Sequence, residues 1–176
     1  LAGGSPYLKS LPLAELGLSA QRIVAEHGLE ALQYGAGQGM EELRIQACEV
    51  MAAEGITDAD PADVVITTGS QSAQDVAAKV FCNPGDVVLC EDPTYVGALN
   101  AFEAYEVEMH ALPVDGEGLV PEALEDAIAS LRKQGKTIKM LYTIPSFNNP
   151  SGVTLAARRR PRIVEICAEA NILILE

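Results

Sequence analysis

Three short segments of this 176-residue chain carry residue types that could do chemistry. The first is Thr67-Thr68-Gly69-Ser70-Gln71-Ser72, where a glycine precedes hydroxyls and an amide. Glycine lets the backbone turn sharply, and a helix opening just after it has first-turn N–H groups without intrahelical partners. Those donors and the helix dipole favour an anion, so the segment reads as a phosphate cradle; plain N-capping by Ser70 or Ser72 accounts for the same residues. It is neither a Walker loop nor a GxGxxG fingerprint, so ATP and NAD are poorly supported. The second segment, Glu91-Asp92-Pro93-Thr94-Tyr95, puts Tyr95 in the first turn of a helix, to stack on a flat ring or to pack half-buried. The third, Pro145-Ser146-Phe147-Asn148-Asn149-Pro150-Ser151-Gly152, is a rigid loop presenting the amides of Asn148 and Asn149. Ordinary Asn-Pro and Ser-Gly turn chemistry has the same composition. All three segments follow predicted strands, at the carboxyl ends where parallel sheets bind ligands.

Other chemistries lack their residues. The two histidines, His27 and His110, are far apart, so a zinc site or a histidine-based nucleophilic triad is hard to build and no metal is expected. His27 precedes Gly28 and reads as the end of a helix, and His110 lies in an alternating strand with a surface position expected. Hard chemistry here would be borrowed from a cofactor. Cys48, Cys82, Cys90 and Cys167 have no CxxC spacing and sit in apolar stretches, which reads as reduced thiols in a cytoplasmic protein.

The elements that position these segments follow from the apolar pattern. Runs at Val64–Thr67, Val87–Cys90, Val107–Leu112, Ile138–Ile144 and Ile172–Leu175 predict five strands. Helices are predicted over Ser72–Phe81, Thr94–Ala104, Pro121–Lys133 and Leu155–Ala170, the last with Pro161 forcing a late start or a kink. This alternation implies an α/β fold: a mostly parallel sheet with helices on both faces. Upstream, an extended arm over Leu1–Leu18 leads to a helix near Ser19–Glu26, the glycine-rich Tyr34–Gly39 loop and an amphipathic helix over Met40–Glu54. The chain is 48% hydrophobic, too apolar for disorder. With 12 Lys and Arg against 25 Asp and Glu, the net charge of −13 argues against nucleic acid as a partner. No apolar run approaches the roughly 20 residues of a membrane span, and Leu1-Ala2-Gly3-Gly4 does not resemble a secretory signal.

Taken in order, Leu1-Ala2-Gly3-Gly4, Tyr34-Gly35 to Arg44, Thr68-Gly69-Ser70-Gln71, Glu91-Asp92-Pro93-Thr94-Tyr95, Asn149-Pro150-Ser151-Gly152 and Ile172 to Glu176 resemble the N-terminal half of a fold-type-I, pyridoxal-phosphate-dependent class I/II aminotransferase. The branch is that of the 2-aminoadipate and kynurenine aminotransferases and the aminotransferase-like domains of MocR-type regulators. The resemblance implies that residues 1–35 are an arm and helix of the small domain and dimer contacts, and 36–176 the N-terminal part of the large cofactor-binding domain. It implies pyridoxal 5′-phosphate (PLP) as cofactor, held at its phosphate by Gly69, Ser70 and Gln71, stacked on by Tyr95 and hydrogen-bonded at its 3′-oxygen by Asn149. Tyr34 would reach the partner subunit's site in a homodimer, and Gly4, Tyr34 and Asn149 would lie near the substrate. Asn149-Pro150 could be cis, as that loop often is.

The implied activity is transfer of an amino group between an L-amino acid and a 2-oxo acid. The family's Schiff-base lysine has no counterpart among Lys9, Lys79, Lys133, Lys136 and Lys139, so the chain reads as a fragment, inactive alone, with no catalytic residue of its own. Val64–Thr67 would then stand apart from the other strands and leave apolar edges open. The alternatives are a MocR-type effector domain, another PLP enzyme such as a β-lyase or decarboxylase, and a binding fragment without cofactor.

Overall fold

A computed structural model describes residues 7–35 and 37–176. The chain forms two compact units: residues 7–68 belong to one and Gly69–Glu176 to the other.

The second unit is built on a sheet of order β3-β2-β1-β4-β5. Its strands are β1 (Val87–Asp92), β2 (Glu108–Asp115), β3 (Gly118–Leu119), β4 (Ile138–Tyr142) and β5 (Leu173–Leu175). β1 pairs in parallel with both β2 and β4, β4 with β5, and only β3 runs antiparallel, against β2. Central β1 is buried from Val87 through Glu91, as an apolar run covered on both faces should be. Its side chains alternate between two cores. Val87 and Leu89 join Leu141 under α5 (Pro121–Lys133) and α6 (Arg160–Glu169), where Leu124, Ile128 and Leu131 form the inward stripe of α5. Val88 and Cys90 join Met140, Tyr142 and Phe102 under α3 (Gly69–Phe81) and α4 (Val96–Glu103). Helices therefore cover both faces, as the alternation of elements predicts.

Several expectations need correcting. Val64–Thr67 forms no strand: the segment is extended, with Ile66 N–H donating to Gln38 O at 2.9 Å, but among the described residues it pairs with no strand. β-Propensity needs a neighbouring edge to act on. β3 was not foreseen, because its Gly118 belongs to the turn signal Asp115-Gly116-Glu117-Gly118. Of the two outcomes expected at Pro161, a late start or a kink, α6 takes the late start: it begins at Arg160 with Pro161 in its first turn, where the missing N–H costs nothing, and Leu155–Arg159 is not helical. α4 starts one residue after Tyr95, making Tyr95 its N-cap residue rather than part of the first turn. His110 is half-buried, not on the surface.

In the first unit, α1 runs from Leu13 to Ala31, starting earlier and ending later than expected. His27 marks a kink in it (φ −129°, ψ 18°) rather than its end. α2 spans Glu41–Ala53, and the Arg44 guanidinium donates to Pro61 O at 2.6 Å. Of the proposed arm, residues 1–6 lie outside the described residues. The four cysteines are unpaired: Cys90 and Cys167 are buried, Cys48 and Cys82 half-buried.

Candidate functional site

The carboxyl ends of β1 and β4 and the starts of α3 and α4 enclose a cleft of about 690 Å³, lined by Ser70, Gln74, Tyr95, Tyr142 and Asn149 among others. Three segments far apart in sequence meet there. Gly69 opens α3 at φ +78°, a left-handed conformation in which a side chain is strained. Ser70 follows in the first helical turn, where N–H groups have no intrahelical partner. Gln71 is turned differently from the expectation: its Nε2 donates to Gly97 O at 2.9 Å, bracing α3 against α4. Gly97 makes this packing possible, since a Cβ there would strike the Tyr95 ring and come within 2.6 Å of Gln71 Oε1.

Tyr142 and Gln74 are both buried residues of the cleft wall. Gln74 Nε2 donates to the Tyr142 hydroxyl at 3.3 Å, and the Phe102 ring stands 6.4 Å from the Tyr142 ring. Burial first, then the fields of Tyr95 and Glu91, pushes the Tyr142 phenol up to about 12, so it keeps its proton at neutral pH. Among the described residues, Gln74 Oε1 is buried with no hydrogen-bond partner. An amide oxygen so placed is costly unless something satisfies it.

The loop after β4 separates the two asparagines that the sequence presents together. Asn148 is only 5% exposed and turns inward, its Nδ2 donating to Glu91 Oε2 at 2.8 Å. Its Oδ1 accepts from Ser151 Oγ at 2.8 Å. Asn149, half-buried, is the amide that lines the cleft. The Asn149-Pro150 peptide is cis, and so is Asp92-Pro93. Glu91 also accepts from the N–H of Ile144 at 2.9 Å. Burial raises its pKa, while the hydrogen bonds from the Ile144 backbone and the Asn148 side chain pull it down.

The model of the aminotransferase class I and II family matches residues 2–175. The chain belongs to that family. It is 39% identical, over its whole length, to aromatic-amino-acid aminotransferase 1 of Thermococcus litoralis, of which it covers 42%. Among solved structures it is similar to the kynurenine aminotransferase of Pyrococcus horikoshii, with 39% identity, a TM-score of 0.93, and coverage of 100% of this chain and 43% of that one. It is also similar to the alpha-aminoadipate aminotransferase of Thermus thermophilus, solved with N-(5′-phosphopyridoxyl)-L-leucine, at 35% identity and TM-score 0.86, covering 98% and 42%. The chain thus spans less than half the length of these aminotransferases.

Of the residues singled out in the sequence, Ser70, Tyr95 and Asn149 meet at the cleft, with Gly69 at the head of α3 and Gln71 on Gly97. Tyr34 lies in the other unit, 99% exposed, and Gly4 lies outside the described residues. Sequence reasoning missed Gln74, Tyr142 and Gly97. Gln74 had a signal, because it stands four residues after Ser70 and so on the same helix face. Tyr142 and Gly97 had none, since their importance depends on neighbours distant in sequence.

Proposed function

We propose that the chain is the cofactor-binding part of an aminotransferase that moves an amino group between an L-amino acid and a 2-oxo acid, with PLP as cofactor. The observation that carries this reading is the meeting of the α3 N-terminus, the Tyr95 ring and the Asn149 amide in one cleft. The cleft fits a flat ring bearing a phosphate. It has anion-favouring backbone donors after Gly69, an aromatic face, and in Gln74 Oε1 a buried polar atom without a partner. Bound there, PLP supplies an electron sink for the substrate's α-carbon. Around it, Ser70 and the backbone of Gly69 and Gln71 at the helix start would hold the phosphate end, Tyr95 would stack on the ring, and Asn149 would donate to its 3′-oxygen. Tyr95 and the buried wall below it exclude water from one face.

The same reading makes residues 1–35 part of the small domain and dimer contacts, and 36–176 part of the large domain. Tyr34 would serve the partner's site in a homodimer, and Gly4, Tyr34 and Asn149 would approach the substrate. The exposed apolar residues of α1, among them Leu13, Leu16, Ile23 and Val24, support an arm that packs on another surface. Four unpaired thiols support a cytoplasmic location. The lysine amine that the chemistry requires would come from the remainder of the whole protein, since among the described residues no lysine lines the cleft.

The test uses the complete protein. Purified with PLP, it should transfer amino groups from a panel of amino acids to 2-oxo acids. Tyr95→Ala should weaken PLP retention by roughly tenfold, the scale of one lost stacking contact. Unchanged cofactor affinity in that variant would remove the assignment of Tyr95. A protein that binds PLP but transfers no amino group would favour the regulator reading.

A further inference from the structure

Glu91 lies on no cleft surface, yet it is buried to 2% exposure at the end of the central strand. A buried carboxylate is expensive to keep unless its hydrogen bonds serve something. Here two donors converge on one oxygen. Oε2 accepts from Ile144 N–H, at the start of the loop after β4, and from Asn148 Nδ2, inside that loop. Asn148 in turn is fixed from three further directions: its N–H donates to Val153 O at 2.9 Å, its O accepts from Gly152 N–H at 2.5 Å, and its Oδ1 accepts from Ser151 Oγ. The residue between this anchor and Pro150 is Asn149, the amide that lines the cleft.

We propose that Glu91 is a positioning residue: by holding Ile144 N–H and the Asn148 amide on one oxygen, it fixes the loop that aims Asn149 into the cleft. The inference rests on the reading of Asn149 as a cofactor contact and adds the group that sets its reach. Asn149 directly follows Asn148 in the loop between β4 and α6, so a displacement at residue 148 is passed on directly. A hydrogen bond to a ring oxygen weakens steeply with distance and angle. The other titratable groups in the field of Glu91 are Cys90 on its own strand and Tyr142 on β4. From α6, Arg160 Nη2 donates to Pro145 O at 3.5 Å, next to Ile144 at the start of the same loop.

The experiment uses the complete holoprotein with four variants: Glu91→Ala, Glu91→Gln, Asn148→Ala and Asn149→Ala. Two quantities are read, PLP retention and the pH at which the bound cofactor's absorbance changes. Glu91→Gln keeps an acceptor oxygen for both donors and should leave the midpoint in place. Glu91→Ala should move the midpoint in the same direction as Asn149→Ala and weaken PLP retention about fivefold to tenfold, the cost of one hydrogen bond to the ligand. Adding Asn149→Ala to Glu91→Ala should then move it no further, because the contact is already lost. Asn148→Ala tests the same link if Glu91→Ala does not fold, and should shift the midpoint likewise. The clamp is overturned if Asn149→Ala moves the midpoint while Glu91→Ala or Asn148→Ala lowers only the thermal midpoint, or if the two effects add. An Asn149→Ala protein that keeps PLP with an unmoved midpoint overturns instead the reading of Asn149 on which the clamp rests.

Discussion

A single methyl group at Gly97 would collide with the Tyr95 ring and approach Gln71 Oε1 to 2.6 Å. The Gln71 amide is held by its bond to Gly97 O, so the Tyr95 ring is the group that must move. Gly97→Ala should therefore push the ring out of its place over the cleft while leaving the sheet untouched. The expected outcome is a loss of PLP affinity like that of Tyr95→Ala, with a thermal midpoint changed by only a few degrees. Equilibrium dialysis against PLP and a melting curve on the complete protein check both halves. Retention at the wild-type level would show that the ring does not need this position. At this scale the sequence is half legible. Ser70, Tyr95 and Asn149 stand out because glycine, proline and hydroxyl neighbours mark turns and helix starts. Glu91 and Asn148 were visible as members of motifs, but their pairing joins residues 57 apart in sequence and exists only once β1 and β4 are neighbours.

Between elements, Arg159 is the best-defined staple. At the mouth of α6 its guanidinium bonds both oxygens of Asp115 at 2.7 Å and also donates to Gly118 O at 3.0 Å, tying the β2–β3 turn to the next helix. The Arg159 hydrogen bonds hold the Asp115 carboxyl down at about 2, from an ordinary 3.8. The sign follows from the depressed value. The folded protein holds this proton more weakly than the unfolded chain does, so the contribution is complete above pH about 4 and is lost as pH falls towards 2. Asp115→Asn should be less stable than the parent at neutral pH, and the difference should close over that acid window. Urea unfolding at a series of pH values measures it, and a pH-independent difference would contradict the assignment. The helices around this turn were legible from periodicity and from Pro121 and Pro161. β3 and the failed strand at Val64–Thr67 were not, because a strand depends on what lies beside it rather than on its own residues.

At the scale of the molecule, the two units differ in kind. Gly69–Glu176 encloses two apolar cores, whereas no described residue of 7–68 is buried. Leu13, Leu16, Ile23 and Val24 of α1 are about half exposed or more, and Tyr34 is 99% exposed. Apolar surface on this scale calls for a partner surface. The proposal that Tyr34 serves the other subunit's site makes a prediction that no single-chain arrangement shares. A complete protein carrying Tyr34→Ala and one carrying Tyr95→Ala should each be impaired as homodimers. In a hybrid of the two, the subunit with Tyr34→Ala keeps its own Tyr95 and receives Tyr34 from its partner, so one of the two sites is whole. Mixing the chains under conditions that exchange subunits should then raise amino transfer above that of either homodimer. If Tyr34 instead serves its own chain, each site in the hybrid lacks one tyrosine and nothing is restored. Activity measured before and after exchange, with the hybrid isolated by differential tagging, separates the two arrangements, because the same two chains are present in either case.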